Sequence, residues 1–202
     1  ATAIAAAPGT ETSVTYTELD DRVETLAGRL AAAGACVDDP LAVCANTRLE
    51  FVAVVHAAQR LGAVLTPIST RLTRDEIETR LDRIDPAAVV CECGTEGTVC
   101  AATGETPLTL DEPSADAIAL SETAPEPFDL PEWAADDPLV VLFTSGTTGD
   151  SKGVVLTLKN VLASATASAF RLGLQRNDCW HVPLPMYHTG GLAPVYRTVL
   201  YG

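Results

Sequence analysis

Lysine is almost missing: Lys152 and Lys159 are the only two among 202 residues, and the other 11 basic residues are Arg. Residues 85–151 carry no Lys or Arg at all but 14 Asp and Glu. The net charge is −14, and outside that segment 13 acids face 13 bases, so the whole deficit sits in one stretch. A chain this acidic is a poor partner for nucleic acid or an anionic membrane surface. Excess carboxylates with few lysines suit solubility in high salt, so a halophilic source is the expectation. GC-rich codon usage, which favours Ala and Arg, is the plainer alternative. Every apolar run falls well short of the ~18 residues a membrane span needs. Residues 1–7 are apolar but lack a basic region, which speaks against a signal peptide, and the missing initiator Met suggests a trimmed start. There is no Cys-x-x-Cys, and six cysteines are too sparse for a disulfide scaffold. Cys91, Cys93 and Cys100 form the one cluster, with no His beside them, which argues against zinc. All six are expected to be reduced, in a cytoplasmic protein. What remains is 47% hydrophobic and 20% charged, enough for a sizeable core and unlike a disordered or collagenous chain.

Along the chain, residues 14–16 give a short strand signal. Thr17 is placed to cap a helix, with Asp20 standing in for the capping-box acid. Leu19, Val23, Leu26, Ala27 and Leu30 then recur at helical spacing up to Gly34. A buried-strand run follows at 41–45. Next comes a helix at 49–61, with Phe51, Val54, Val55 and Ala58 as its apolar face and Gly62 as its stop. His56 on that helix reads as core. After a strand at 63–68, Thr73 opens a third helix with Glu76 three residues on and Ile77, Leu81 and Ile84 facing inward. The next strand is 88–91. Such alternation predicts an α/β fold with right-handed crossovers and a largely parallel sheet covered by helices. Residues 94–137 change character: they are acidic, hold Pro107, Pro113, Pro125, Pro127 and Pro131, and read as a long surface excursion with one strand near 106–110. Regular structure resumes with the apolar strand 139–143.

The stretch that carries chemistry follows that strand. In residues 144–153 every position but Asp150 and Lys152 is Gly, Ser or Thr. Glycines let backbone N–H groups converge on an anion, hydroxyls add donors, and Lys152 supplies a point charge. Lys152 is also the only base between Arg83 and Lys159. This is not a Walker A loop, because Ser151 precedes the Lys and Gly153 follows it. The following residues 154–158 read as a strand, so the loop links two strands like a flap and phosphates would not rest on a helix N-terminus. A flexible polar linker is the bland alternative; the tight apolar flanks and the isolated Lys weigh against it.

With its flanking strands, this stretch resembles the signature loop of the adenylate-forming superfamily, which includes acyl- and aryl-CoA synthetases, peptide adenylation domains and luciferases. Tyr16-Thr17-Glu18-Leu19 is similar to that family's first helix entry. Gly62-Ala63-Val64-Leu65-Thr66-Pro67-Ile68, with Leu72-Thr73 and Glu76-Ile77, is similar to its GAV-x-x-P segment. Pro183-Leu184-Pro185-Met186-Tyr187-His188-Thr189-Gly190-Gly191-Leu192 is similar to its next core motif. One departure is Ser151, where the family usually has Pro. Within the superfamily, residues 186–192 and the closing Arg197-Thr198-Val199-Leu200-Tyr201-Gly202 look most like o-succinylbenzoate–CoA ligases of menaquinone synthesis.

The resemblance implies that residues 1–202 are the incomplete N-terminal part of the large adenylation domain, with the rest of that domain and a small C-terminal domain absent, and that this piece is inactive alone. It implies ATP, Mg2+ and coenzyme A, the last as substrate, a small carboxylic acid, and two half-reactions through an acyl-adenylate. Thr144, Ser145, Gly146, Thr147, Thr148, Gly149 and Lys152 are the implied β,γ-phosphate cradle, and His188 lines the acyl or aryl pocket beside the reacting carboxylate. Tyr187 and Arg197 are the neighbours able to meet an aromatic ring and a second carboxylate, although Arg197 also fits a helix surface. Taken without the motif, His188 reads as a packing or turn histidine ahead of a helix at Thr189, and His181 beside Trp180 reads as structural, on a strand. Another acyl- or aryl-CoA synthetase, a phosphate-binding module without turnover, and an interaction domain whose acidic segment meets a basic partner stay open as rivals, as does a homo-oligomer.

Overall fold

Leu41 and Val43 are buried on one side of a central sheet, and their neighbours Ala42 and Cys44 on the other. Burial on both faces is what a helix-covered parallel sheet demands of its strands. The computed structural model describes residues 1–5, 13–144, 151–173, 175 and 178–201. In chain order its elements are β1 (Thr2–Ala5), β2 (Ser13–Thr15), α1 (Tyr16–Ala32), β3 (Pro40–Cys44), α2 (Leu49–Leu61), β4 (Val64–Pro67), α3 (Arg74–Ile84), β5 (Ala88–Cys91), α4 (Cys93–Ala102), β6 (Leu108–Thr109), β7 (Ile118–Ala119), β8 (Pro138–Thr144), β9 (Lys152–Thr157), α5 (Leu158–Leu172) and α6 (Thr189–Tyr201).

Among the described residues, seven strands form one sheet in the order β7-β6-β5-β3-β4-β8-β9. Neighbours run parallel except β9, which is antiparallel to β8. β1 and β2 form a separate antiparallel pair. Phe51, Val54 and Leu61 of α2 pack with Val23 and Leu30 of α1 against one face. Ile77 and Leu81 of α3 pack with Val99 and Ala102 of α4 against the other. The expected α/β architecture is therefore present, with helices on both faces.

Local chemistry sets the boundaries. α2 spans the expected residues and stops at Gly62, whose φ of +78° is left-handed. A Cβ there would also come 3.0 Å from the Pro131 Cβ. At α3 the Thr73 N–H donates to the Glu76 carboxylate at 2.8 Å, the expected capping box. The start of α1 differs from the sequence expectation. Its cap is Thr15 rather than Thr17, with Glu18 closing the box: the Thr15 N–H donates to Glu18 Oε2 at 2.8 Å, and the Glu18 N–H to Thr15 Oγ1 at 3.2 Å. Asp20 is free to pair with Arg60 of α2 instead, beside Glu24 at 2.9 Å.

The segment 94–137 is an irregular surface excursion only after Ala119: before that it contains helix α4, the expected strand as β6, and a further short parallel strand, β7, that extends the sheet. Gly94, Gly97 and four Thr or Cys residues give α4 little intrinsic propensity, so tertiary contacts hold it. The Thr95 hydroxyl donates to the Cys44 carbonyl at 2.7 Å, and Glu96 is fully buried, accepting the Ser114 N–H at 2.8 Å together with that of Ala115. Cys93 accordingly opens a helix. The later part is irregular and lies against α1 and α2, where the Glu126 N–H reaches the Gly28 carbonyl at 2.9 Å and Trp133 Nε1 the Gln59 carbonyl at 3.2 Å.

Among the described residues all six cysteines are free. Burial pushes the Cys44 and Cys91 thiols up to about 12, so both stay protonated packing groups. No described helix is long and apolar enough to cross a membrane.

Candidate active site

The apolar run that makes β8 ends at Thr144, and β9 begins at Lys152 directly opposite it, since the two are register partners in the antiparallel ladder. The signature stretch thus joins strand to strand, as its sequence implied. Thr144 and Lys152 mark its neck; Ser145, Gly146, Thr147, Thr148 and Gly149 lie outside the described residues. The neck is cross-bonded. Ser151 Oγ donates to the Thr144 carbonyl at 2.9 Å, and Thr144 Oγ1 donates to the Lys152 carbonyl at 3.4 Å. From α3, the Arg83 guanidinium donates to the Ser151 carbonyl, and Arg80 stacks over the Phe143 ring with its Cζ 5.0 Å from the centroid. Lys152 is exposed. Because β8 runs parallel to β4, Thr144 sits at the carboxyl edge of the sheet, the edge at which open α/β folds bind ligands.

His188 reaches the same edge by another route. Its N–H donates to the Pro185 carbonyl at 3.0 Å, and its own carbonyl accepts the Gly191 and Leu192 N–H groups, each at 3.0 Å. It therefore sits in the turn that starts α6, with an exposed side chain and its ring centroid 4.7 Å from that of Tyr187. Met186 and Tyr187 beneath it are buried. The turn is so tight that a Cβ on Gly191 would collide with the Pro185 and Leu184 carbonyls, so only glycine fits. Thr47, just past the carboxyl end of β3, fastens it: the Met186 N–H donates to Thr47 Oγ1 at 3.2 Å, and Thr47 Oγ1 donates to the Leu184 carbonyl at 3.4 Å. Sequence reasoning missed Thr47 and Arg83, because nothing local marks a side chain whose partner lies 137 or 68 residues away.

Between β8, β9, α5 and α6 lies a cavity of about 160 Å³, floored by Val140, Leu142 and Leu156 and bordered by Thr189, Tyr196 and Arg197. Arg197 is not on an open helix surface. Its NH1 donates to Ser168 Oγ at 2.8 Å, and its Cζ lies 4.1 Å from the centroid of the Trp180 ring. The Tyr196 hydroxyl is buried without a hydrogen-bond partner among the described residues, and burial raises its pKa. His56 meets Tyr196 edge-on, ring centroids 6.2 Å apart, and burial pushes its pKa down to about 4. It is the neutral packing residue expected. His181 differs from expectation: it is exposed and in irregular chain, with no strand beside it among the described residues.

A second polar constellation fills the crevice between β3 and β5. The Arg48 guanidinium meets Glu50 at 2.7 Å, Asp111 at 2.8 Å and Glu92 at 3.5 Å, and Asn46 donates its N–H to Glu92 at 3.1 Å. Arg48 and the Cys93 N–H hold the Asp111 carboxyl below the ordinary carboxylate range. Two acids of the 85–151 stretch are neutralised here.

A largely parallel sheet covered by helices on both faces, with the Gly-, Ser- and Thr-rich stretch joining its antiparallel last pair and a histidine turn tied to the same edge, defines an α/β protein. Residues 1–202 match the AMP-binding enzyme family, and the chain belongs to it. Curated relatives include the 2-succinylbenzoate–CoA ligase of Bacillus mycoides (strain KBAB4), 34% identical over 197 residues, which are 95% of this chain and 38% of that protein. The 2-succinylbenzoate–CoA ligase of Listeria monocytogenes serotype 4b is 38% identical over 189 residues, 93% of this chain and 38% of that one. Among solved structures, the o-succinylbenzoate coenzyme A synthetase of Bacillus subtilis in complex with ATP and magnesium ion superposes with a TM-score of 0.82 at 28% identity, over 95% of this chain and 39% of that one. The chain spans about two fifths of the length of the curated relatives it matches.

Proposed function

We propose that this chain is part of an ATP-dependent acid–CoA ligase, that its acid is o-succinylbenzoate, and that residues 1–202 form the first part of a larger adenylating domain. The observation that carries the reading is the shared carboxyl edge: Thr144 and Lys152 face each other at the neck of the β8–β9 turn, and His188 is fastened to that edge through Thr47. In this reading the acid's carboxylate attacks the α-phosphate of ATP, giving an acyl-adenylate and pyrophosphate, and the coenzyme A thiol then displaces AMP from the acyl carbon. Negative charge builds on the departing pyrophosphate. Lys152 and the donors of residues 144–149 lower the barrier by meeting that charge where it develops.

His188 presents its ring beside Tyr187 to orient the carboxylate, and Arg197, bordering the cavity, offers a cation to the second carboxylate of an aromatic diacid. Among the described residues no group of three His, Cys, Asp or Glu is arranged to hold a metal ion. Mg2+ is accordingly assigned to the incoming nucleotide, where it neutralises phosphate charge, and no residue here is given to it. Reduced cysteines, a cytoplasmic location and adaptation to high salt belong to the same reading.

The test is a screen of carboxylic acids for AMP release by the full-length enzyme with ATP, Mg2+ and coenzyme A. Turnover of o-succinylbenzoate is expected. Turnover of fatty or other aromatic acids with none of o-succinylbenzoate would assign it to another acyl- or aryl-CoA synthetase, and no AMP release with any acid would leave a phosphate-binding module.

A further inference from the structure

We propose that Arg83 and Ser151 form a positioning clamp on the neck of the β8–β9 turn, holding Thr144 and Lys152 in the register in which they meet a phosphate chain; this rests on the ATP-dependent reading above. Neither side chain needs to touch the nucleotide. Arg80 and Arg83 are three residues apart on α3 and so share a face. That face is turned toward the hairpin: Arg80 stacks on Phe143, the residue before Thr144, and Arg83 reaches the Ser151 carbonyl, just before Lys152. One helix thus grips both strands of the neck from outside.

Ser151 is bonded in two directions. Its carbonyl accepts from Arg83, and its hydroxyl donates to the Thr144 carbonyl at 2.9 Å across the ladder. Thr144 Oγ1 then donates to the Lys152 carbonyl at 3.4 Å. Three hydrogen bonds therefore link four residues at the last described rung of an antiparallel pair. The bond from Arg83 has a charged donor, which makes it stronger than a neutral one. A single carbonyl uses only part of the five guanidinium donors, and Arg83 is exposed, so its positive charge stays beside the neck in solvent. The deeper sheet does not depend on this contact, since the burial of β3, β4, β5 and β8 maintains it. Loss of the clamp should loosen the neck while leaving the fold intact.

The experiment uses the full-length protein with Arg83→Ala, Ser151→Ala, and the double variant Arg83→Ala/Ser151→Pro. Amide hydrogen exchange is read without nucleotide in peptides covering residues 144–153, and affinity for ATP–Mg2+ is read by calorimetry beside KM values for ATP, acid and coenzyme A. Arg83→Ala and Ser151→Ala should each speed exchange in those peptides and nowhere else. Each should weaken ATP by about threefold to tenfold, the worth of one hydrogen bond, with the acid and coenzyme A KM values within about twofold. The double variant lacks both clamp bonds, so its exchange in those peptides should be at least as fast, and its ATP affinity at least as low, as in either single variant. Wild-type exchange in the single variants, faster exchange with unchanged ATP affinity, or a parallel rise in all three KM values would each overturn the clamp. Failure of the wild-type enzyme to release AMP would overturn the ligase reading instead, and the exchange and ATP-binding data would still judge the clamp.

Discussion

Thr47 and Met186 stand 139 residues apart in sequence and are joined by one hydrogen bond, from the Met186 N–H to Thr47 Oγ1 at 3.2 Å. Through it the end of β3 fixes the turn that carries His188. Thr47→Val keeps the shape but removes the hydroxyl, leaving the buried Met186 amide without its partner. A loss of about 1–2 kcal/mol is expected in urea melts. Pyrophosphate exchange by the full-length enzyme should fall about tenfold, with Thr47→Ser retaining most of it. A Thr47→Val enzyme as stable and as active as wild type would show that the turn is held by other means.

Lys152→Ala removes an exposed cation from the neck. Circular dichroism and melting should be unchanged, because the side chain buries nothing. ATP–pyrophosphate exchange should fall by about two orders of magnitude, the usual cost of deleting one preorganised charge-stabilising group. Undiminished exchange would take Lys152 out of the phosphate cradle.

His56 makes stability depend on pH in a definite direction. Burial lowers its folded pKa to about 4 from an ordinary 6.5. Between those values the unfolded chain holds a proton that the folded one does not, so stability rises with pH across that window and drains away as pH falls from about 6.5 toward 4. The full effect is about 3 kcal/mol. His56→Phe should flatten the slope of melts taken between pH 7 and pH 5, and an unaltered slope would mean that another group carries the dependence.

Salt should stabilise the fold. Fourteen acids without a base repel one another along residues 85–151, and molar salt screens that repulsion to about 3 Å. Among the described residues of that stretch, Glu92 and Asp111 are gathered onto Arg48 and Asp136 lies 3.9 Å from Lys159, so most of the repulsion is open to screening. The melting temperature should climb through a KCl series from low to molar concentration. A flat or falling series would remove the case for adaptation to high salt.

What the sequence revealed follows from the range of the forces involved. α2, its Gly62 stop and the Thr73–Glu76 box were legible because periodicity and capping act over three or four residues. The start of α1 was misplaced by two residues because Thr15 with Glu18 and Thr17 with Asp20 satisfy the same spacing; only Arg60, brought in by α2, claims Asp20. α4 was invisible because Thr95 and Glu96 hold it through Cys44, Ser114 and Ala115, not through its own propensity. The signature stretch and His188 stood out by composition and motif. Thr47 and Arg83 did not, since their meaning lies wholly in remote carbonyls and amides.

The crevice between β3 and β5 has a last consequence. α2 leaves β3 on one face of the sheet and α4 leaves β5 on the other, so these neighbouring strands open the gap where doubly wound folds commonly seat a ligand. In this chain Arg48, Asn46, Glu92 and Asp111 already fill it. The protein is in effect its own ligand at the centre of its sheet. A nucleotide docked by fold analogy alone would be sent to an occupied berth, whereas the site proposed above lies two strands outward, where Thr144 and Lys152 face each other across β8 and β9.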